Sequence, residues 1–330
     1  MSQTSPPTPS YPVRHPSASH SSSVRGWQLH WRSWGAASGQ GQVEQAPLFL
    51  LHGWMDVGAS WQFVVDALRA AGYRGLIIAP DWRGFGLSMA RASGQAQQQP
   101  DTFYFPDYLG DLDALIPQVL QACGLSADSA ITLAGHSMGA HAALLYAAAR
   151  PERVAKLANL EGFGAPPTTA ADAPGRYREW LVQLQALQAG KLDLAGYESQ
   201  AAVARRLLKS NPRIAPERAH WLAGHWAAPD TAGRWHILGA AAHKVLNPVL
   251  FRVDEVQACY AAISCPVLTI LAEENRLHEW QGGNYALADY QQRLSHIAHN
   301  RTLVIENAGH MLHHDQPQAV AQALCPWLQA

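Results

Sequence analysis

The sequence predicts an α/β fold in which helices cover both faces of a mostly parallel central sheet. Short apolar runs of strand length alternate with longer runs of helical periodicity, and this rhythm is typical of parallel sheets. Residues 165–256 interrupt the rhythm with helix-like stretches and no convincing strand. Because this segment is too long for a structureless loop in a compact protein, we expect a helical cap inserted over the edge of the sheet.

The first elements follow from two kinds of apolar spacing. Residues 27–34 alternate large apolar with polar side chains, which is typical of a half-buried strand. The continuous apolar runs at 47–51 and 75–79 favour strands that are covered on both faces. Similar short runs predict strands at 129–133 and 154–160, and helical spacing predicts helices at 61–71, 105–123 and 140–149.

The rhythm resumes after the insertion, with strands predicted at 266–271 and 302–305 and helices at 285–297 and 316–328. Residues 1–24 are rich in Ser, Pro, Thr and His and contain no apolar stretch that could form the core of a signal peptide. The expected division is therefore a disordered leader at 1–24, an α/β core built from 25–164 and 257–330, and the cap at 165–256.

Bulk composition excludes several classes of function. Charged residues are 15% of the 330 residues and the formal net charge is −1, so we expect no broad surface for nucleic acid or anionic lipid. The four cysteines are scattered without metal-ligand spacing, which favours free thiols. No run approaches the ~18 apolar residues of a membrane span. These features predict a cytoplasmic protein that needs no cofactor or metal; its oligomeric state is left open.

Gly135-x-Ser137-x-Gly139 is the strongest candidate for a reactive site. It lies between a predicted strand and a predicted helix, the context of a nucleophile elbow, in which a strained turn exposes a serine hydroxyl above the sheet. The glycines have a steric role, because the tight turn brings strand and helix backbone close together. The alternative is a serine in an ordinary glycine-rich turn.

A serine hydroxyl needs a base to remove its proton, and histidine is the usual base near neutral pH. His310 is the candidate because it follows the last predicted strand, and loops at the carboxyl ends of parallel strands gather around one crevice. His313 and His314 lie close by, and together with His310 and Asp315 they could suggest a metal site. No cysteine or outlying acid completes a recognisable ligand set, so we predict none.

An acid should orient the imidazole of the base, and two positions compete for this role. Glu161 directly follows the strand at 154–160, whereas Glu273 and Glu274 follow the strand at 266–271. Asn275 stands where an acid might have been expected after that second strand. We favour Glu161 and keep Glu274 as the alternative.

A tetrahedral oxyanion needs preorganised donors, which backbone amides can supply. The N–H groups of Met138, directly after the serine, and of Trp54 are the expected donors. His52, in the turn before Trp54, is expected to brace its loop by hydrogen bonding rather than to act as a base. Asp81 and Arg83 fit a structural turn that ties neighbouring loops together.

Four motifs occur in chain order at strand ends: His52-Gly53-Trp54, Asp81-x-Arg83-Gly84-x-Gly86-x-Ser88, the serine turn, and Gly309-His310. Through them, residues 25–330 resemble the α/β-hydrolase superfamily. Within it, the segment from Leu51 to Asp56, the turn at Glu161 and the run from Arg205 to Asn211 look like the serine hydrolase-like proteins. This second resemblance implies an acid after the strand at 154–160 and supports Glu161.

The resemblance implies an α/β-hydrolase fold with a helical cap and a triad of Ser137, His310 and Glu161. The fold does not name the bond that is cleaved. Serine at 137 argues against the dehalogenase and epoxide hydrolase relatives, which use an aspartate there. Tryptophans such as Trp54 and Trp82 favour an apolar substrate.

The predicted function is a serine hydrolase that cleaves a small or medium apolar carboxylic ester. The alternatives are a weakly catalytic or non-catalytic ligand-binding protein on the same fold, and a carbon–carbon bond hydrolase or perhydrolase with the same triad.

Overall fold

A mostly parallel sheet forms the centre of the computed structural model, which describes residues 10–35, 45–90, 100–280 and 282–330. The strands are β1 Ala18–Val24, β2 Trp27–Trp34, β3 Leu48–Leu51, β4 Ile77–Pro80, β5 Met89–Ala90, β6 Ile131–His136, β7 Val154–Leu160, β8 Gly196–Tyr197, β9 Ala227–Pro229, β10 Trp235–Ile237, β11 Val267–Ala272 and β12 Asn300–Ile305.

Helices surround this sheet and build most of the insertion. They are α1 Gln62–Ala70, α2 Phe105–Ala122, α3 Met138–Ala149, α4 Ala173–Gln188, α5 Gln200–Ser210, α6 Pro216–Trp226, α7 Val253–Ala261, α8 Leu277–Trp280, α9 Leu287–Leu294, α10 Leu312–Asp315 and α11 Pro317–Gln329. Short 3-10 turns occur at Gly58–Trp61, Ala170–Asp172 and Ala241–Lys244. In the described residues, none of these helices is both long and apolar enough to cross a membrane.

The strand order in the sheet is β1-β2-β4-β3-β6-β7-β11-β12, and β5 pairs with β2 outside this path. Pairing is parallel from β4 through β12, whereas β2 runs antiparallel to β4. The parallel strands therefore end at one edge, where the loops after β3, β4, β6, β7 and β12 meet. This confirms the predicted mostly parallel sheet.

Alternate residues of the central strands pack into two separate cores. Phe49 and Leu133 belong to the core that includes α2, α3 and α7, whereas Leu48 and Ala134 belong to the core under α1 and α11. Successive side chains of a strand point to opposite faces, so a strand buried on both sides reads as a continuous apolar run. Helices cover both faces of the sheet, as predicted.

The predicted disordered leader is wrong for residues 18–24, which form β1. This strand runs antiparallel to β2 from Ala18 opposite Ser33 to Val24 opposite Trp27. Arg25 and Gly26 connect the two strands with φ of 45° and 82°, as a two-residue hairpin turn requires. The strand carries few apolar residues, so its composition resembles that of a disordered segment.

Side-chain hydrogen bonds add to the backbone pairing of β1. The Trp31 indole donates to the Ser22 hydroxyl at 3.1 Å, and Ser19 bonds to the His30 ring at 2.6 Å. Further upstream, Tyr11 donates to Asp66 at 2.9 Å. Residues 1–9 of the predicted leader lie outside the described residues.

The insertion at 165–256 is largely helical, with α4, α5 and α6 as its main helices. It also contains a three-stranded sheet in the order β8-β10-β9, which the sequence did not predict. Strands of two or three residues are too short to show periodicity. The insertion docks on the core through contacts such as the indole of Trp226, which donates to the Met55 carbonyl at 2.6 Å.

The turn between β6 and α3 depends on two glycines. A Cβ at Gly135 would lie 2.5 Å from the backbone of Gly139, and a Cβ at Gly139 would lie 2.5 Å from the carbonyl oxygen of His52. Backbone atoms on both sides cannot move away as a flexible side chain could. These two positions therefore set how closely α3 approaches β3 and β6.

We expect Gly139→Ala to lower the free energy of unfolding by about 3 kcal/mol, because the added methyl group overpacks a site enclosed by backbone. Urea unfolding measures this change. The matched control is Gly175→Ala in α4, where a Cβ meets nothing within 4 Å. This control should be neutral or stabilising by up to about 1 kcal/mol through helix propensity. Equal unfolding midpoints for Gly139→Ala and the parent would contradict the steric argument.

Candidate active site

Ser137 occupies the sharp turn between β6 and α3. Its φ of 52° and ψ of −117° are strained for a residue with a side chain, and its N–H donates to the Leu160 carbonyl at 2.8 Å. The turn directs the hydroxyl to the edge where the parallel strands end. The predicted strand, strained turn and helix are all present at this position.

The structure brings Ser137, His310 and Glu161 together from three distant parts of the chain. The Nε2 atom of His310 lies 2.9 Å from the Ser137 hydroxyl oxygen. On the other side of the ring, Nδ1 lies 3.2 Å from Glu161 Oε2. One imidazole therefore connects a hydroxyl to a carboxylate, which is the arrangement of a nucleophile, base and orienting acid.

Glu161 is fully buried and follows β7 with φ of 55°. Its second carboxyl oxygen accepts the Ala272 N–H at 2.8 Å. Burial raises the pKa of Glu161 to about 8, because this hydrogen bond only partly replaces the water that is lost. Burial also lowers the pKa of His310 to about 4, so the neutral imidazole is favoured.

The alternative acid, Glu274, lies away from the imidazole in a different interaction. It forms an ion pair with Arg213 of the insertion, and about half of its side chain is exposed. Glu273 accepts the Asn307 N–H at 2.9 Å. Asn275 lies just before α8, and its side-chain oxygen accepts the Leu277 N–H at 2.9 Å. Of the acids that the sequence offered, Glu161 is the one in contact with His310.

The loop that carries His310 is held by polar contacts on both sides of the residue. The N–H of Gly309 donates to Asp315 at 2.9 Å, and Asp315 also accepts the Asn211 amide of the insertion at 2.6 Å. The carbonyl of His310 accepts Nε2–H of His136 at 2.7 Å. These contacts fix the backbone, so the ring needs little reorganisation to reach both of its partners.

Two backbone amides next to the serine are available to an oxyanion. Within the described part of the chain, neither the Trp54 N–H nor the Met138 N–H donates to another residue. Met138 is the first residue of α3, where the helix leaves its N–H groups without partners. A Cβ at Gly53 would lie 3.3 Å from that of Ser137, so the loop carrying Trp54 runs beside the serine.

The other charged and histidine motifs at this edge support the loops, as predicted. The Trp82 N–H donates to Nε2 of the buried His52 at 2.9 Å, so the proton of that ring is on Nδ1, which donates to the Gly53 carbonyl. Asp81 accepts the N–H groups of Gly58 and Leu87 at 2.7 and 3.0 Å.

Arg83 forms ion pairs with Asp107 and Asp111 of α2. It therefore ties the loop after β4 to a helix on one face of the sheet.

A cluster of histidines lies next to His310, with the ring of His136 between the rings of His310 and His313. Asp56, His136 and His313 each offer one possible ligand atom, and these atoms lie within 4.8 Å of one another, so this group in the described part of the chain could hold a metal ion. His136 directly precedes the serine, but no pattern in the sequence predicts a role for it. Its contact with the His310 backbone becomes visible only when the ends of β6 and β12 meet.

A cavity of about 490 Å³ opens beside the serine. Apolar side chains dominate its wall, including Met138, Phe163 and Phe251, and His310 and Glu161 border it. Trp280 also lines this cavity, with its ring 4.7 Å from that of His310. Neither Trp280 nor Phe163 was predicted from the sequence, because Phe163 follows β7 whereas Trp280 ends α8, in the segment after β11.

Comparison with known proteins places this geometry in a family. The model of the alpha/beta hydrolase family matches residues 48–323. A serine hydrolase-like protein from Danio rerio is 25% identical over 303 residues, which cover 90% of this chain and 86% of that protein. Epoxide hydrolase 2 from Siraitia grosvenorii is 35% identical over 113 residues, 34% of this chain and 31% of that protein.

A solved structure supports the same fold. The thioesterase domain from the curacin biosynthetic pathway superimposes with a TM-score of 0.73 and 23% identity, covering 94% of this chain and 99% of that domain. The sheet topology, the strained serine turn and the family match over most of the chain agree. The chain therefore belongs to the alpha/beta hydrolase family.

Proposed function

We propose that this hydrolase is a serine esterase that cleaves small or medium apolar carboxylic esters through an acyl-enzyme on Ser137. The observation that carries the proposal is the pair of contacts made by His310, 2.9 Å to the Ser137 hydroxyl and 3.2 Å to the Glu161 carboxylate. A hydroxyl in this position can lose its proton to the imidazole as it attacks a carbonyl carbon.

The first half of the reaction forms the acyl-enzyme. With Nδ1–H of His310 donating to ionised Glu161, Nε2 takes the proton of Ser137 while the serine oxygen bonds to the ester carbon. The carbonyl oxygen becomes an anion and accepts the N–H groups of Trp54 and Met138. As the intermediate collapses, Nε2 gives its proton to the departing alcohol oxygen and the carbon–oxygen bond of the alcohol breaks.

The second half returns the enzyme to its starting state. Nε2 of His310 removes a proton from water, whose oxygen attacks the acyl carbon. The bond to Ser137 then breaks, and the serine oxygen regains a proton from Nε2 while the carboxylic acid leaves. Glu161 keeps the ring in one tautomer and stabilises its protonated form in both halves, without taking the proton itself.

The wall of the cavity beside Ser137 supports an apolar acyl group. Leu145, Val249 and Leu250 line it together with the residues given above. A volume of about 490 Å³ is in the range of small-molecule sites. Burying an acyl chain against these side chains contributes roughly 0.8 kcal/mol for each methylene group.

A fluorophosphonate probe should label folded protein at Ser137, because the activated hydroxyl attacks phosphorus as it attacks an acyl carbon. Ser137→Ala should abolish labelling and lower the hydrolysis of p-nitrophenyl esters by at least about 10³-fold. Ser126→Ala, at an exposed serine away from the site, is the matched control and should react as the parent does. A folded parent that is neither labelled nor active on esters of any chain length would favour the ligand-binding alternative.

Glu161→Gln should lower kcat by about 10²-fold or more, because an amide cannot stabilise the imidazolium. Glu274→Gln, which removes a carboxylate paired to Arg213, should have little effect. Steady-state kinetics on p-nitrophenyl butyrate distinguish the two variants. The reverse ranking would reassign the acid to Glu274.

Activity should rise with pH into the alkaline range. The reactive form has ionised Glu161 and neutral His310, and burial raises the pKa of Glu161 to about 8 while it lowers that of His310 to about 4. As the pH rises from 6 to 9, Glu161 loses its proton and kcat/KM should increase, whereas the imidazole is already neutral. Glu161→Gln has no carboxyl to titrate and should lose this rise. A parent profile that is flat from pH 6 to 9 would contradict the assignment.

A further inference from the structure

Two cavities meet at His310 and Trp280. The first is the apolar cavity beside Ser137, and the second has a volume of about 560 Å³. His310 and Trp280 line both, whereas Ser137 lines only the first. Trp54, whose N–H faces an oxyanion in the proposed mechanism, lines the second. The reacting atoms therefore lie at the junction of the two cavities.

The second cavity is basic. Four cationic side chains line it, from α5, the loop after α5, the turn at Ala241–Lys244 and the loop before α8: Arg206, Arg213, Lys244 and Arg276. Two carboxylates, Asp56 and Glu274, are the acids in its wall. Four positive and two negative charges leave an excess of two positive charges. We call this space the basic cavity.

Arg206 and Lys244 are the two cations of this wall that are not paired with a carboxylate in the described part of the chain. Arg213 is already paired with Glu274, and Arg276 is paired with Glu279 outside the cavity. In the part of the chain that the structure describes, Arg206 and Lys244 have no carboxylate within 4.0 Å.

Neutral oxygens hold these two cations in place. Arg206 donates to the Ser210 hydroxyl at 2.7 Å, and Lys244 donates to the Asp193 carbonyl at 2.6 Å. These contacts position the side chains without neutralising their charge.

The proposed reaction indicates that these positive charges face the leaving group of the substrate and not its acyl group. His310 must protonate the departing oxygen, so the leaving group has to lie where His310 can reach it. The acyl group stays on Ser137 in the apolar cavity. The space that borders His310 but not Ser137 is therefore the place for the leaving group, and its uncompensated cations favour an anionic one.

We propose that the basic cavity binds the anionic end of the leaving group, a carboxylate or a phosphate, through Arg206 and Lys244. This inference rests on the proposed esterase function and specifies its substrate class as an apolar acyl ester of an anionic alcohol. It also gives a role to part of the run from Arg205 to Asn211, since Arg206, Ser210 and Asn211 line the cavity.

The test compares aryl butyrates whose leaving groups carry an anionic or a neutral group in the para position. The substrates are 4-(butyryloxy)benzoate, 4-(butyryloxy)phenyl phosphate and the neutral 4-carbamoylphenyl butyrate. The parent should show a kcat/KM at least about tenfold higher for one or both anionic esters, which is the value of one charge-assisted contact. The two anionic substrates distinguish a carboxylate from a phosphate. Equal kcat/KM values for all three esters would overturn the proposal.

The double variant Arg206→Gln, Lys244→Gln should reduce the ratio of anionic to neutral kcat/KM by about tenfold or more. The matched control is the double variant Arg205→Gln, Lys209→Gln, which also removes one arginine and one lysine charge, from positions of α5 that line neither cavity. This control should keep the parent ratio. An equal loss in the control and in the double variant of Arg206 and Lys244 would mean a general effect of surface charge and would overturn the site.

A binding experiment separates failure of this inference from failure of the esterase proposal. Calorimetry measures binding of 4-hydroxybenzoate and of phenyl phosphate to Ser137→Ala, which needs no turnover. Binding of either anion should weaken at least about tenfold when Arg206→Gln and Lys244→Gln are added. Such a loss supports the basic cavity even if no ester is cleaved. Absence of binding for both anions overturns it even if Ser137 proves to be an active nucleophile.

Discussion

Backbone atoms of three elements meet beneath Ser137 with no side chain between them. Gly135 in β6 and Gly139 in α3 allow the helix to lie against its own strand and against the end of β3, at distances that a Cβ would not permit. This contact holds Ser137 in a strained conformation and directs its hydroxyl to the edge of the sheet. It also leaves the Met138 N–H, at the start of α3, without an acceptor among the described residues. The rest of the site is arranged around this fixed turn.

The second constraint is the buried carboxyl group of Glu161, which in the described part of the chain has no arginine or lysine within 4.0 Å. Glu161 is fully buried, and its oxygens contact the Ala272 N–H and the His310 ring. A buried charge with so few partners is costly, so it favours any state in which its neighbour becomes positive. The imidazolium that His310 becomes in the proposed mechanism is such a state. His136 and Asp315 hold the backbone around His310, so this interaction needs little movement of the loop.

The core and the insertion contribute different parts of the site. Ser137, His310, Glu161 and the two amides come from loops of the core, whereas the insertion supplies much of the wall of both cavities. Asn211 of the insertion bonds to Asp315, which in turn bonds to the loop of His310. The insertion is therefore connected to the loop of His310 as well as to the walls of both cavities. In the proposed mechanism, the core thus supplies the residues that contact the reacting atoms, and the insertion supplies most of the wall that would select the substrate.

Local patterns in the sequence predicted the sheet, the serine turn and the loop of His310, because apolar spacing, glycines and strand ends are properties of neighbouring residues. The same patterns missed β1, whose serines resemble a disordered leader until β2 pairs with it, and the short strands of the insertion. They also left Glu161 and Glu274 as competitors, because both follow a parallel strand. Only the tertiary structure separates the two acids: it buries Glu161 against His310 and pairs Glu274 with Arg213, a residue distant in the chain. The basic cavity was likewise invisible in the sequence, since its charge arises where three separate segments come together.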